Sequence, residues 1–172
     1  MTKIVLLGYM GCGKSTIAKR LSQLINIPFV DLDQYIEQKA NLSVSAIFEQ
    51  RGEIYFRKLE HESFVALLSS SDSLIIGLGG GTPCYANNHE LLKQEGVLSV
   101  YLKASIATLF KRLSLNKSKR PLIANKTNEE MEEFIAMHVF ERSFYYNQAK
   151  HTVIVDDKTA DETVKDITAL LA

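Results

Sequence analysis

The segment Gly8-Tyr9-Met10-Gly11-Cys12-Gly13-Lys14-Ser15-Thr16 follows the apolar run Lys3-Ile4-Val5-Leu6-Leu7. Gly8, four residues, then Gly13-Lys14-Ser15 is a phosphate-binding loop pattern, set between a strand and a helix. Glycines in such a loop admit positive φ and bring backbone N–H groups close to a polyphosphate. The start of the following helix adds unpaired donors and partial positive charge. Lys14 reaches the outer phosphates. The Ser15 hydroxyl suits Mg²⁺, which keeps most of its waters and binds phosphate oxygens. Cys12 lies inside the loop, where a helix N-terminus lowers a thiol pKa; it is read here as a small side chain that supplies its backbone N–H.

A phosphate loop does not name the acceptor. Guanine-binding signals fail: Asn125-Lys126-Thr127-Asn128 departs from NKxD at its last position, and no DxxG follows the third strand. Asp31 and Asp33 fall at the C-terminal end of the second strand, the edge where open α/β sheets bind ligands. In an extended segment their i, i+2 spacing sets both carboxylates on one side. One then holds Mg²⁺ through water, and the other accepts a hydrogen bond from a hydroxyl and draws off its proton. Capping of the next helix is the alternative role for the pair.

Arg57 and Glu60 are i, i+3 on a helix, which fits a surface ion pair. Beside Phe48 and Phe56, the guanidinium also fits a bidentate grip on the carboxylate of a small polar ring. The two phenylalanines fit the core equally. Gly79, Gly80 and Gly81 end the third strand, and three glycines after a buried strand favour direct approach of a small ligand over a plain turn.

The elements that must position these residues alternate along the chain. Strands are expected at KIVLLG, PFVDLD, SLIIGLGGG, VLSVYL and HTVIVD. Helices are expected from Lys14 to Ile25, from about Gln34 to Ser70 with breaks near Asn41 and Gly52, and at NNHELLKQ, SIATLFKRL and TADETVKDITALL. A further helix runs from about Asn128 to Gln148. Thr127 with Glu130 and Thr159 with Glu162 fit capping boxes. Strands without strict alternation, separated by helices, imply a five-stranded parallel sheet in a three-layer α/β/α arrangement. No repeat or linker divides residues 1–172, so one domain is expected. Ser114 to Asn128 is polar, basic and aperiodic, and a loop of that length inside a compact domain is functional or disordered.

Twenty basic and twenty acidic residues balance to a net charge of zero, which argues against a nucleic acid or an anionic membrane as main partner. Cys12 and Cys84 match neither a metal-ligand spacing nor a disulfide framework. No signal peptide or membrane-spanning run is legible, so a cytoplasmic protein is expected. Nothing demands an obligate interface, so a monomer is expected.

Taken jointly, GYMGCGKST, DLD, FEQRGEIYFRKLE, GLGGG, KRPL and ERSFYY resemble shikimate kinase, a P-loop enzyme of the nucleoside monophosphate kinase type, nearly end to end. The resemblance implies ATP-dependent phosphorylation of the shikimate 3-hydroxyl. It implies that Gly11, Cys12, Gly13, Lys14, Ser15 and Thr16 wrap the ATP phosphates, with Ser15 on Mg²⁺ and Asp31 supporting the ion through water. Asp33 would bind the shikimate hydroxyls. Arg57 and Arg142 would grip its carboxylate. Gly79, Gly80 and Gly81 would line the acceptor site, shaped by Glu60, Phe48 and Phe56. Arg112 would lie near adenine. Arg120 would fold over ATP from a lid spanning about 113–126, and residues from about 33 to 62 would form the substrate-binding helical region. The segment VDDKT would approach adenine. On the residues alone, a gluconate or nucleoside monophosphate kinase and a nucleotide-binding scaffold without turnover remain the alternatives.

Overall fold

The computed structural model describes residues 1–172. Its centre is a sheet of β1 (Lys3–Leu7), β2 (Phe29–Asp31), β3 (Leu74–Gly77), β4 (Val97–Lys103) and β5 (His151–Ile154). All neighbours are parallel and the spatial order is β2-β3-β1-β4-β5. Every residue of β1 and β3 is buried, as central strands covered on both faces require.

Eight helices connect and cover the strands: α1 (Lys14–Ile25), α2 (Leu32–Ala40), α3 (Val44–Arg51), α4 (Glu53–Ser69), α5 (Asn88–Leu91), α6 (Ile106–Ser114), α7 (Asn128–Tyr146) and α8 (Ala160–Ala169). Their boundaries follow local chemistry. The expected break near Asn41 is a left-handed C-cap, with φ 55°. Ser43 then caps α3 by accepting from the Ala46 N–H. Gly52, with φ 85°, separates α3 from α4. Both expected capping boxes form, Thr127 with Glu130 on α7 and Thr159 with Glu162 on α8.

Register assembles the site. Asp31 pairs with Gly77, and Gly77 pairs with Leu6. The ends of β2, β3 and β1 therefore stand level and side by side. The loops that leave them carry Asp31 and Asp33, the Gly79–Gly81 run, and the phosphate loop. From β1 the chain runs to β2, returns to β3 beside β1, and then crosses to β4 on the other flank of β1, so that the end of β1 lies at the switch point where open parallel sheets form a crevice.

Two local expectations need correction. Asp31 and Asp33 do not share an extended segment. β2 stops at Asp31, whose Oδ1 accepts the Gln34 N–H at 3.0 Å and caps α2, and Asp33 already lies in the first helical turn. Capping was the alternative role for this pair, and Asp31 fills it while still facing the cleft. The polar stretch after α6 is also more ordered than its composition suggests. It contains a short tight turn at Lys117–Lys119, and Ile123 is fully buried.

Candidate active site

The phosphate loop is built around left-handed backbone. Gly13 precedes α1 with φ 98°, a conformation that a side chain would strain. Lys14 Nζ curls back over the loop and donates to the Gly8 carbonyl at 2.5 Å and the Tyr9 carbonyl at 3.2 Å. The Cys12 side chain is buried, and its N–H donates to the Tyr9 carbonyl at 3.2 Å. That N–H is thus spent on the loop's own turn. Arg112 Nη1, from α6, donates to the Cys12 carbonyl at 3.0 Å. It fixes the far side of the loop.

A cleft of about 430 Å³ opens above these groups. Gly11, Gly13, Lys14, Ser15 and Thr16 line it from the loop and the start of α1, Asp31 from the end of β2, Asp33 from α2, Gly79 and Gly80 from the β3 edge, Arg112 from α6 and Arg120 from the segment after it. A second hollow of about 270 Å³ shares Gly11, Gly13, Thr16 and Arg112 and continues to Val155, Lys158, Ala160 and Thr163. The first is polar and cationic, as a polyphosphate demands. The second opens directly from the first and is lined by a mixture of apolar and polar side chains. Val155 and Lys158 were not assigned from sequence, because VDDKT carries no motif of its own.

The acceptor side is organised by the glycine run. None of Gly79, Gly80 and Gly81 has a left-handed φ. Their lack of a side chain matters for space. A Cβ on Gly79 would stand 3.2 Å from Asp33 Oδ1, one on Gly80 3.1 Å from Arg142 Nη1, and one on Gly81 3.1 Å from Arg57 Nη2. Three consecutive glycines therefore admit one carboxylate and two guanidinium groups, brought from α2, α7 and α4.

Arg57 is held by charge and by rings. Its Nη1 donates to Glu60 Oε1 at 2.9 Å, and its Nε stands 3.6 Å from Glu53 Oε1. Its Cζ lies 3.8 Å from the Tyr85 ring centroid, 5.2 Å from Phe56 and 5.9 Å from Phe48. Phe48 and Phe56 stack against each other at 4.6 Å, with Phe56 buried. They serve the core and flank the guanidinium at once. Tyr85, the nearest ring, had no sequence signal, since it follows the glycine run in an aperiodic turn. Glu60 is buried, so the Arg57–Glu60 pair is not the surface pair that spacing alone allows.

Arg142 sits 5.7 Å from the Tyr9 ring centroid. The Tyr146 hydroxyl, one helical turn further along α7, donates to the Gly80 carbonyl at 2.6 Å. Tyr9 and Tyr146 tie α7 to the phosphate loop and the glycine run, and neither was singled out by sequence.

Burial pushes Asp33 up to about 6, with the nearby charges of Asp31 and Glu60 adding to the shift and Lys14 opposing it. Its carboxyl is thereby a stronger base when ionised than an ordinary aspartate. Burial also raises Cys84, against the opposing effect of Arg142 and Arg57.

Comparisons with known proteins place the chain in a family. The shikimate kinase family model matches residues 10–172. The chain belongs to the shikimate kinase family. It is 69% identical to a shikimate kinase of Flavobacterium johnsoniae over the full length of both chains, and 51% identical to that of Flavobacterium psychrophilum over 99% of each. Membership makes the chain a kinase enzyme. Among solved structures, a shikimate kinase from Bacteroides thetaiotaomicron superposes with a TM-score of 0.90 at 33% identity, covering 99% of this chain and 98% of that one. One from Acinetobacter baumannii, solved in complex with shikimate, gives 0.86 at 31% identity over 99% and 93%. A gluconokinase from Sinorhizobium meliloti, at 15% identity and a TM-score of 0.62 over 98% and 90%, shares the fold. No helix is long and apolar enough to cross a membrane.

Proposed function

We propose that the protein transfers the γ-phosphoryl group of ATP to the 3-hydroxyl of shikimate, giving shikimate 3-phosphate and ADP. The observation that carries this reading is the glycine run, which sets Asp33, Arg142 and Arg57 side by side at the edge of the phosphate-loop cleft. A carboxylate suits the hydroxyls of a polar ring. Two guanidinium groups suit its carboxylate.

In this reading ATP lies with its phosphates over Gly11–Thr16 and its nucleoside in the hollow beside Arg112, Val155 and Lys158. Lys14 leaves the Gly8 and Tyr9 carbonyls for the β- and γ-phosphates. Arg57 and Arg142 orient the ring so that its hydroxyl faces the γ-phosphorus in line with the leaving ADP oxygen. Asp33 accepts the hydroxyl proton as the new O–P bond forms and the bond to ADP breaks. Glu60 holds Arg57, and Phe48 and Phe56 flank it.

The donors fit Mg²⁺. Ser15 offers a hydroxyl and Asp31 a carboxylate with one oxygen free of its capping bond, both lining the cleft. No group of three or more His, Cys, Asp or Glu side chains gathers there. That suits an ion held by few protein oxygens, water and phosphate. When bound, Mg²⁺ neutralises charge on the β- and γ-phosphates.

Residues of about 113–126 serve as a lid that brings Arg120 onto the transferring phosphate and excludes competing water. The helices from about 33 to 62 form the substrate-binding region of a single domain, active as a monomer in the cytoplasm. A coupled ADP-release assay tests the reading with shikimate, quinate and gluconate. Shikimate-dependent turnover far above the other two is expected. Equal or greater turnover with gluconate, or none with any acceptor, would overturn it.

A further inference from the structure

Beside the acceptor side lies a closed hydrogen-bonded ring of which only Glu60 has a role in the proposed transfer. Glu60 and His61 are neighbours on α4. Glu60 is 1% exposed and divides its two oxygens: Oε1 accepts from Arg57 Nη1 and Oε2 accepts from Thr82 Oγ1, each at 2.9 Å. The Thr82 carbonyl accepts from Asn88 Nδ2 at 2.9 Å. Asn88 Oδ1 then faces His61 Nδ1 at 2.6 Å, so His61 carries a proton on Nδ1 and donates it. The ring closes through the α4 backbone. Thr82 and Asn88 are fully buried.

The ring clamps the end of the glycine run to the helix that carries Arg57, because the Thr82 N–H also donates to the Gly79 carbonyl at 3.1 Å. Its consequence for Arg57 is electrostatic. A guanidinium and a carboxylate prefer the two-pronged pairing in which both oxygens are taken. Here Thr82 occupies the second oxygen. Arg57 is left with a single prong on Glu60, and Nη2 faces Gly81.

We propose that Thr82, braced by Asn88 and His61, is a positioning residue that keeps Arg57 one-pronged on Glu60 and so holds its second amino group free for the acceptor carboxylate. The proposal rests on the reading that Arg57 grips shikimate. Without the Thr82 hydroxyl, Glu60 takes both prongs and the acceptor loses a charged partner.

Steady-state kinetics test it on wild type, Thr82→Val, Thr82→Ser, Arg57→Ala and the double variant Thr82→Val/Arg57→Ala. Thr82→Val is expected to raise the shikimate KM about tenfold, the order of one hydrogen bond to a charged group, and to leave the ATP KM within about twofold. Thr82→Ser should stay near wild type. In the Arg57→Ala background Thr82→Val should add nothing, since it acts through Arg57. An unchanged shikimate KM, a parallel rise in both KM values, or full additivity would overturn the proposal. If Thr82→Val does not fold, His61→Ala decides by the same pair of KM values: a selective rise supports the clamp and none overturns it. A wild-type protein inactive on shikimate sinks the functional reading itself. Shikimate turnover indifferent to Thr82 removes only the clamp.

Discussion

The Tyr9 hydroxyl and His138 Nδ1 stand 3.0 Å apart, joining the phosphate loop to the middle of α7. Burial pushes Tyr9 up to about 12, and burial together with Arg142 lowers His138. Near neutral pH the pair is therefore a phenol donating to a neutral imidazole. His138 precedes Arg142 by one helical turn, and the Tyr9 ring lies beside the Arg142 guanidinium. Tyr9 thus touches Lys14 with its carbonyl and Arg142 with its ring.

Tyr9→Phe keeps the ring and removes the bond. It is expected to cost about 1 kcal/mol, typical of one hydrogen bond, and to lower the melting temperature by a few degrees. It should raise the shikimate KM a few-fold through looser placement of Arg142. Melting curves and kinetics of Tyr9→Phe, His138→Leu and the double variant check this. Stability losses that add fully would mean that the two residues are not coupled.

Gly80→Ala and Gly81→Ala probe the space that the glycine run leaves. Their backbone admits a side chain, so folding should suffer little. The new methyl groups would meet the flexible ends of Arg142 and Arg57 at 3.1 Å. Each guanidinium must then move by a few tenths of an ångström or more. The expected result is a shikimate KM raised by about tenfold, as small misplacements at a reacting centre do, with ATP affinity retained. Equal loss of ATP binding would show that the run serves the loop rather than the acceptor.

Asp33 sets a pH dependence whose sign follows from its raised pKa. The ordinary value is 3.8 and the folded value about 6. Between these the native state holds a proton that the unfolded state has lost, so stability falls as pH rises through this window. Asp33→Asn removes that cost. The metal-free variant should match wild type in melting temperature near pH 4, exceed it increasingly toward pH 6, and keep a constant lead above. Its turnover should fall by at least about a hundredfold, the lower range for losing a general base. A constant melting difference across pH 4 to 8 would contradict the raised pKa.

Much of the fold was legible because its signals are local. Apolar runs marked the strands, and capping boxes at Thr127 and Thr159 marked two helix starts. The phosphate loop was legible for the same reason, since Gly8 to Thr16 are contiguous. The acceptor side was harder. Arg57 and Arg142 carry no spacing rule that unites them, and only the resemblance placed them together. Thr82, Tyr85 and Asn88 gave no signal at all. Their partners lie on α4, more than twenty residues away, and hydrogen bonds across that distance leave no periodicity. The Asp31–Asp33 geometry was misjudged because a side-chain cap ended β2 earlier than the run PFVDLD suggested.

Ile123 shows how a single apolar residue organises a polar segment. It is fully buried although Pro121 and Leu122 before it are exposed, and its N–H and that of Ala124 donate to the Arg120 carbonyl at 3.1 and 3.0 Å. The turn that carries Arg120 is therefore pinned to the core through Ile123. Removing a buried Ile side chain costs about 2–5 kcal/mol in a core. Here the loss is expected to fall first on local closure of the segment, which holds no strand or α-helix between α6 and α7. Ile123→Ala should leave the main melting transition within a few degrees of wild type. It should also speed proteolytic cleavage and hydrogen exchange within residues 115–127, and raise the ATP KM several-fold as Arg120 loses its station over the cleft. The ATP effect should vanish in an Arg120→Ala background. An ATP KM that rises to the same extent with and without Arg120 would assign the effect to the loop fold and detach Ile123 from the placement of the arginine.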